Sequence, residues 1–135
     1  MNSKHQQITI VTLRKPLSKS LNEELKWLGN SLGLFSERDK DSSMFRTFIE
    51  LVKSAKRQTP ISSEEISVNL GLTRGAVIHH LNKLTSAGVA VHKGRKYLLR
   101  DNNLTRLVEE IKKDINRSLE DIMAVTREID RQMEL

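Results

Sequence analysis

Residues 71–100 read GLTRGAVIHHLNKLTSAGVAVHKGRKYLLR, and the fold turns on how this stretch divides. Gly71 is a helix stop, and Thr73, two residues on, can accept a hydrogen bond from the first amides of a new helix. From there Ala76, Val77, His80, Leu81 and Leu84 recur at helical spacing until Gly88 ends the run, so they share an inward face. Arg74, Gly75, Ile78, His79, Asn82 and Lys83 are left on the outward face. The remainder, Val89 to Arg100, divides into two short strand-like pieces around Lys93 and Gly94. It predicts a hairpin with Lys93, Arg95 and Lys96 crowded at its tip.

Working upstream, Thr59 and Pro60 break a helix, and Ser62 with Glu65 forms a capping box that opens a short helix to about Leu70. Two short helices joined by a tight turn containing Gly71 make a helix-turn-helix pattern. Before the break, Phe45, Phe48, Ile49 and Val52 fall on one stripe of a helix predicted over Met44 to Lys56. Ser36 to Ser43, SERDKDSS, reads as a solvated connection in which Asp41, Ser42 or Ser43 can cap that helix. A further capping box, Ser20 with Glu23, precedes Leu21, Leu25, Leu28 and Leu32, an amphipathic helix that stops at Gly33. Ile8 to Leu13, ITIVTL, predicts a short strand closed by Arg14, Lys15 and Pro16. Met1 to Gln7 is polar, without the apolar core of a signal segment.

Working downstream, Asn102 or Asn103 can cap a last helix that runs nearly to residue 135. In it Leu104, Val108, Ile111, Ile115, Ser118, Ile122, Val125, Ile129 and Gln132 alternate steps of four and three, a heptad pattern. Val108, Ile115, Ile122 and Ile129 share one seam position, a β-branched choice that suits two-stranded coiled coils when the strands are parallel. Leu107, Leu119 and Met133 widen the stripe, which suggests that part of the helix packs on a globular body. Residues 104–132 extend about 43 Å, more than a domain of this size needs for its own core. The expectation is a homodimer held through Leu104, Val108, Ile111, Ile115, Ile122, Val125 and Ile129, with parallel and antiparallel pairing both open. Folding back onto the first helix of the same chain is the alternative.

Length and composition agree with this division. The 135 residues are 37% hydrophobic, 30% charged and only 4% aromatic, which suits one mainly helical domain with an appended element. We divide the chain into an extension (1–41), a helix-turn-helix and hairpin domain (42–100) and a C-terminal dimerisation helix (101–135). Net charge is +6, but it is unevenly spread: 7 basic and 5 acidic residues in 1–41, 10 and 3 in 42–100, 6 and 9 in 101–135. The positive field therefore gathers on the middle segment, which favours a polyanionic partner there. With 0 cysteines, disulfides, thiolate metal sites and cysteine nucleophiles are excluded. No apolar run approaches the roughly 18 residues of a membrane span, and a cytoplasmic protein is expected.

The residue pattern of 71–100 resembles the winged helix-turn-helix regulators of prokaryotes, the ArsR-like repressors first and the MarR-like regulators second. The resemblance rests on Ala76 and Val77, the His80–Leu81 pair, Leu84 and the Ala-Gly-Val of residues 87–89, and with the preceding helices it covers about half the chain. It implies a winged helix-turn-helix fold, a hairpin that serves as the wing, and a dimer acting as a repressor at a pseudo-palindromic site in double-stranded DNA. Thr73, Arg74, Gly75, Ile78, His79, Asn82 and Lys83 become candidate groove contacts. Arg can donate two hydrogen bonds to guanine, His can approach an acceptor edge or a phosphate, Gly75 lets the backbone come close, and Ile78 can rest on a thymine methyl. The resemblance implies a polar residue such as Ser at position 78, and Ile78 departs from it. Lys93, Arg95 and Lys96 are candidates for phosphates or a minor groove. His80, on the inward side, reads as a structural residue.

Other function classes find little support. There is no Walker-type loop, GxSxG elbow or HExxH, and the Glu64–Glu65 pair is explained by its place at a helix start. Metal-sensing ArsR-like proteins carry cysteines near the first helix of the motif, or a carboxylate and histidine set in their C-terminal helices. This chain has neither, so no enzyme activity, metal or cofactor is expected, and any effector is unidentified. Two rivals remain: a winged-helix scaffold that binds protein, and a sequence-tolerant architectural DNA binder.

Overall fold

Each helix begins where a side chain satisfies the first free amides. The computed structural model describes residues 5–135 apart from 18, 36–38 and 40. Ser20 accepts from the Glu23 amide to open α1 (Leu21–Ser31). Ser62 accepts from Glu65 to open α3 (Ser63–Leu70), and Thr73 accepts from Ala76 to open α4 (Arg74–Ser86). Asn103 accepts from Arg106 to open α5 (Leu104–Met133). Helix α2 (Ser43–Arg57) differs, because Ser42 sits in the left-handed region at φ 57° and makes no side-chain cap. Two carboxylates do this work instead: Asp41 accepts from the Ser43 amide, and Asp39 accepts from the amides of Met44 and Phe45. The rest of the predicted connection, at 36–38 and 40, lies outside the described residues, as do residues 1–4 of the polar N-terminus.

The fold is mainly helical, with a three-stranded antiparallel sheet of order β1-β3-β2 (β1 Ile61–Ser62, β2 Ala90–Lys93, β3 Lys96–Leu99). The predicted hairpin forms with Lys93 opposite Lys96 and His92 opposite Tyr97. Gly94 alone takes positive φ in the two-residue loop, at 64°, as the first central position of a type II′ turn requires. Strand β1 was not foreseen: Ile61 pairs with Tyr97 and Ser62 with Lys96, just before Ser62 caps α3. The predicted strand at 8–13 does not form. Among the described residues, the backbone there is held by Val11 N–H to Ser31 O, with Gln7 N–H to Ser86 O just before it, and the segment joins no sheet.

The core gathers Phe48 and Leu51 from α2, Ile66 from α3, Val77, Leu81 and Leu84 from α4, Ile61, Val89, Tyr97 and Leu99 around the sheet, and Leu107 and Ile111 from α5. Side chains of this size contribute roughly 1.5–3 kcal/mol each when fully buried, so this cluster holds the short helices at their angles. Only the first third of α5 takes part. Leu107, Ile111 and Asp114 are buried, Leu104 and Ile115 half-buried, and every residue from 116 onward is exposed. The fold-back alternative is thereby removed, since among the described residues none buries any part of the last 27 Å or so of helix. Ile111 must also be withdrawn from the dimer seam: it is 2% exposed and belongs to the chain's own core.

Helix α4 is also tied to the start of α2 through a polar contact. His80 Nε2 lies 2.9 Å from Ser43 Oγ, which in turn lies 3.4 Å from Asp39 Oδ1. Burial lowers the His80 pKa, as does neighbouring His79, against the opposite pull of Asp39 and Asp41. The unfolded chain takes up this proton near pH 6.5, while the folded imidazole resists to lower pH. Stability from neutral His80 is therefore complete above about pH 6.5 and is lost as the pH falls toward the lowered value. In thermal melts, His80→Asn should show a smaller drop between about pH 7 and 5.5 than the wild type; equal drops would remove His80 from the acid response.

Candidate nucleic-acid interface

Three residues, Gly71–Thr73, separate α3 from α4, and Gly71 supplies the left-handed turn at φ 66°. Arg46 donates to Leu70 O at 2.6 Å, and Ser67 donates to Leu72 O, so both sides of the turn are fixed by side chains. With Val77, Leu81 and Leu84 buried, the outward face is determined: Arg74, Gly75, His79, Asn82 and Lys83 are exposed. Ile78 is half-buried rather than free, and Thr73 is exposed but its hydroxyl already accepts from Ala76.

The hairpin presents Lys93, Arg95 and Lys96, all exposed. Lys93 and Lys96 stand directly opposite each other, a pairing of like charges that disfavours the hairpin by up to about 1 kcal/mol. Among the described residues, none of these three, nor Lys83, has an ion-pair partner. Tyr97 is buried beneath, with the His92 ring 4.4 Å away, so the hairpin that carries these cations is anchored in the core. Arg74 differs in having a partner, Glu64 of α3, at 3.4 Å with both side chains largely exposed.

Gly75 has no internal explanation. An added Cβ would meet nothing within 4 Å, and its φ is not positive, so no atom of the chain demands glycine there. Glycine inside a helix costs roughly 0.5–1 kcal/mol relative to alanine.

Sequence reasoning missed the polar anchor behind this surface. Arg100, just after β3, grips Asp114 of α5 with both terminal nitrogens, at 2.5 and 3.1 Å. Gln6 donates to the same carboxylate at 2.7 Å, and Arg117 lies at 3.4 Å. Asp114 is 4% exposed, and the Arg100 hydrogen bonds, ahead of those from Gln6, hold its carboxyl below the usual range. A signal was present, since an acid at 114 shares the helix face of Leu107 and Ile111, where an unpaired charge is not tolerated.

The seam candidates divide as well. Val108 is 39% exposed, Ile122 56%, Val125 60% and Ile129 46%, while Leu104 and Ile115 are half-covered by their own chain. No helix among the described residues is long and apolar enough to cross a membrane, and no group of three or more His, Asp or Glu is placed to hold a metal ion. Comparison with protein-family models, with curated proteins and with solved structures finds no match for the chain.

Proposed function

We propose that this chain is a winged helix-turn-helix regulator, ArsR-like in pattern, that binds double-stranded DNA as a homodimer and acts as a repressor. On this reading α4 enters the major groove and the β2–β3 hairpin is the wing. The observation that carries it is the arrangement of unpaired cations. Lys83, Lys93, Arg95 and Lys96 are held on a rigid scaffold without counter-charges, two of them in mutual repulsion, which disfavours the free protein and favours a phosphate-rich partner. Gly75 supports the same reading, because its missing side chain is needed only if something outside the chain comes close.

The dimer is supported by the free part of α5. An isolated helix of that length is marginal in water, and most helical stability comes from packing of an amphipathic face. The exposed Ile122, Val125 and Ile129 supply such a face, and none of the described residues buries it. Two copies related by a two-fold axis would present two α4 helices to half-sites about one helical turn apart.

Two variants test the division of labour between helix and wing. Arg74→Ala should relax sequence discrimination by about tenfold at one base pair. Lys93→Ala should weaken all duplexes about equally and reduce the salt slope by about 1. Identical behaviour of the two variants would remove the distinction between a base reader and a phosphate contact. Gly75→Ala should raise stability by roughly 0.5–1 kcal/mol in denaturant melts and yet weaken duplex binding. A stabilised variant with undiminished binding would show that no close approach occurs at that turn.

A further inference from the structure

Of the ion pairs among the described residues, two join separate parts of the fold, Arg100–Asp114 and Arg74–Glu64. The first is buried and structural. The second is 66% and 70% exposed, so as a stabilising contact it contributes little. Its cation also stands where helix electrostatics alone would not put one. Arg74 opens α4, where a cation opposes the positive end of the helix dipole, and α4 has no acid of its own in the first turn. Glu64, in the first turn of α3, reaches across to supply the missing charge. The other two acids of residues 42–100 are engaged or placed differently: Glu50 is buried and accepts from Asn69, and Glu65 gives its amide to Ser62.

Resting on the duplex-binding reading, we propose that Glu64 is a positioning residue that sets the selectivity of Arg74 for a base edge over a phosphate. The pair approaches to 3.4 Å, between one terminal nitrogen and Oε1, too long to tie up the other donors of the guanidinium. A guanine edge offers two acceptors and no net charge, and Arg74 can meet it bidentately while Glu64 keeps its place. A phosphate on the same guanidinium brings a full negative charge beside the Glu64 carboxylate, which repels it. Glu64 therefore disfavours a phosphate-bound register more than the base-bound one, where no phosphate sits on the guanidinium itself. That raises discrimination without adding a contact to DNA. An exposed pair also breaks at little cost, so Arg74 is guided rather than locked away.

The test uses the full-length protein, a mixed-sequence duplex, and a duplex enriched by the wild type from a randomised library. Glu64→Gln should bind the mixed duplex more tightly and reduce the ratio of selected to mixed affinity by about tenfold, the loss of discrimination at one base pair. Glu64→Asp keeps an acid at the start of α3 but draws it back by one methylene, and should give an intermediate ratio at an unchanged melting temperature. Equal gains on both duplexes, or a ratio that follows melting temperature across the three proteins, would overturn the role of Glu64 and leave duplex binding standing. A wild type that binds neither duplex would overturn both.

Discussion

Replacing Ile122 and Ile129 together by aspartate is expected to leave a folded monomer that has lost most of its affinity for an operator. Both side chains are exposed in the single chain, 56% and 46%, and neither touches the core, so the helices and sheet before residue 115 should fold as before. What disappears is the proposed partner. Two charges in the centre of a seam would each be carried into an apolar contact without a counter-ion, and the pairing of α5 with a second copy would fail. The second half-site would then no longer be held at high effective concentration, a loss of about 10²–10⁴ in overall affinity. Sedimentation gives the mass, and circular dichroism should show the free end of α5 fraying, because that segment buries nothing within its own chain. A double variant that keeps the wild-type mass and helix content would place the dimer contact elsewhere.

The second large effect is predicted at Asp114. Asp114→Ala removes a 4% exposed carboxylate and leaves the guanidinium of Arg100, 25% exposed, without its partner. Leaving one member of a buried pair uncompensated costs on the order of 3 kcal/mol, and here it also unties the start of α5 from the end of β3 and from Gln6. The double variant Arg100→Met with Asp114→Leu should recover much of this, since well-packed apolar replacements of an ion pair are often neutral. The acid response gives an independent check. The Asp114 pKa is lowered in the fold, so its contribution is present above about pH 4 and is lost as the pH falls below that. Wild type and Asp114→Ala should therefore converge in stability in strong acid. Equal destabilisation by the single and double variants would show that the contact is packing and not charge.

The elements that were legible in the sequence are those set by local rules. The caps at Ser20, Ser62, Thr73 and Asn103, the stops at Gly33, Gly71 and Gly88, and the basic hairpin tip all follow from short-range chemistry, and each is found where its residues place it. The inward face of α4 follows from its period, Ile78 excepted. What could not be read depends on partners distant in the chain. Strand β1 is too short to have a period, and only the edge of β3 makes it a strand. The ITIVTL run has strand composition but lies against the end of α1, with Val11 N–H bonded to Ser31 O, and joins no sheet. Of the three caps offered for α2, Asp41 serves, but the second acceptor, Asp39, comes into reach where the backbone at Ser42 turns left-handed, which composition does not announce. In α5 the heptad spacing hid a change of surroundings: Leu107, Ile111 and Asp114 face the chain's own core, while Val108 and every residue beyond Ile115 are exposed. The tie between Arg74 and Glu64 depends on the angle between two helices, and spacing alone does not fix it.

If the outward face of α4 and the tip of the hairpin form a surface for duplex DNA, as proposed, the salt dependence of binding reveals it. Lys83, Lys93, Arg95 and Lys96 on each of two protomers give a plot of log affinity against log salt with a slope near −7 if all engage phosphates. The account predicts tight binding to duplex at about 50 mM salt, a steep loss by about 200 mM, and a preference for one sequence that survives throughout. No binding at the lower salt, or an affinity that does not change between the two, would contradict it.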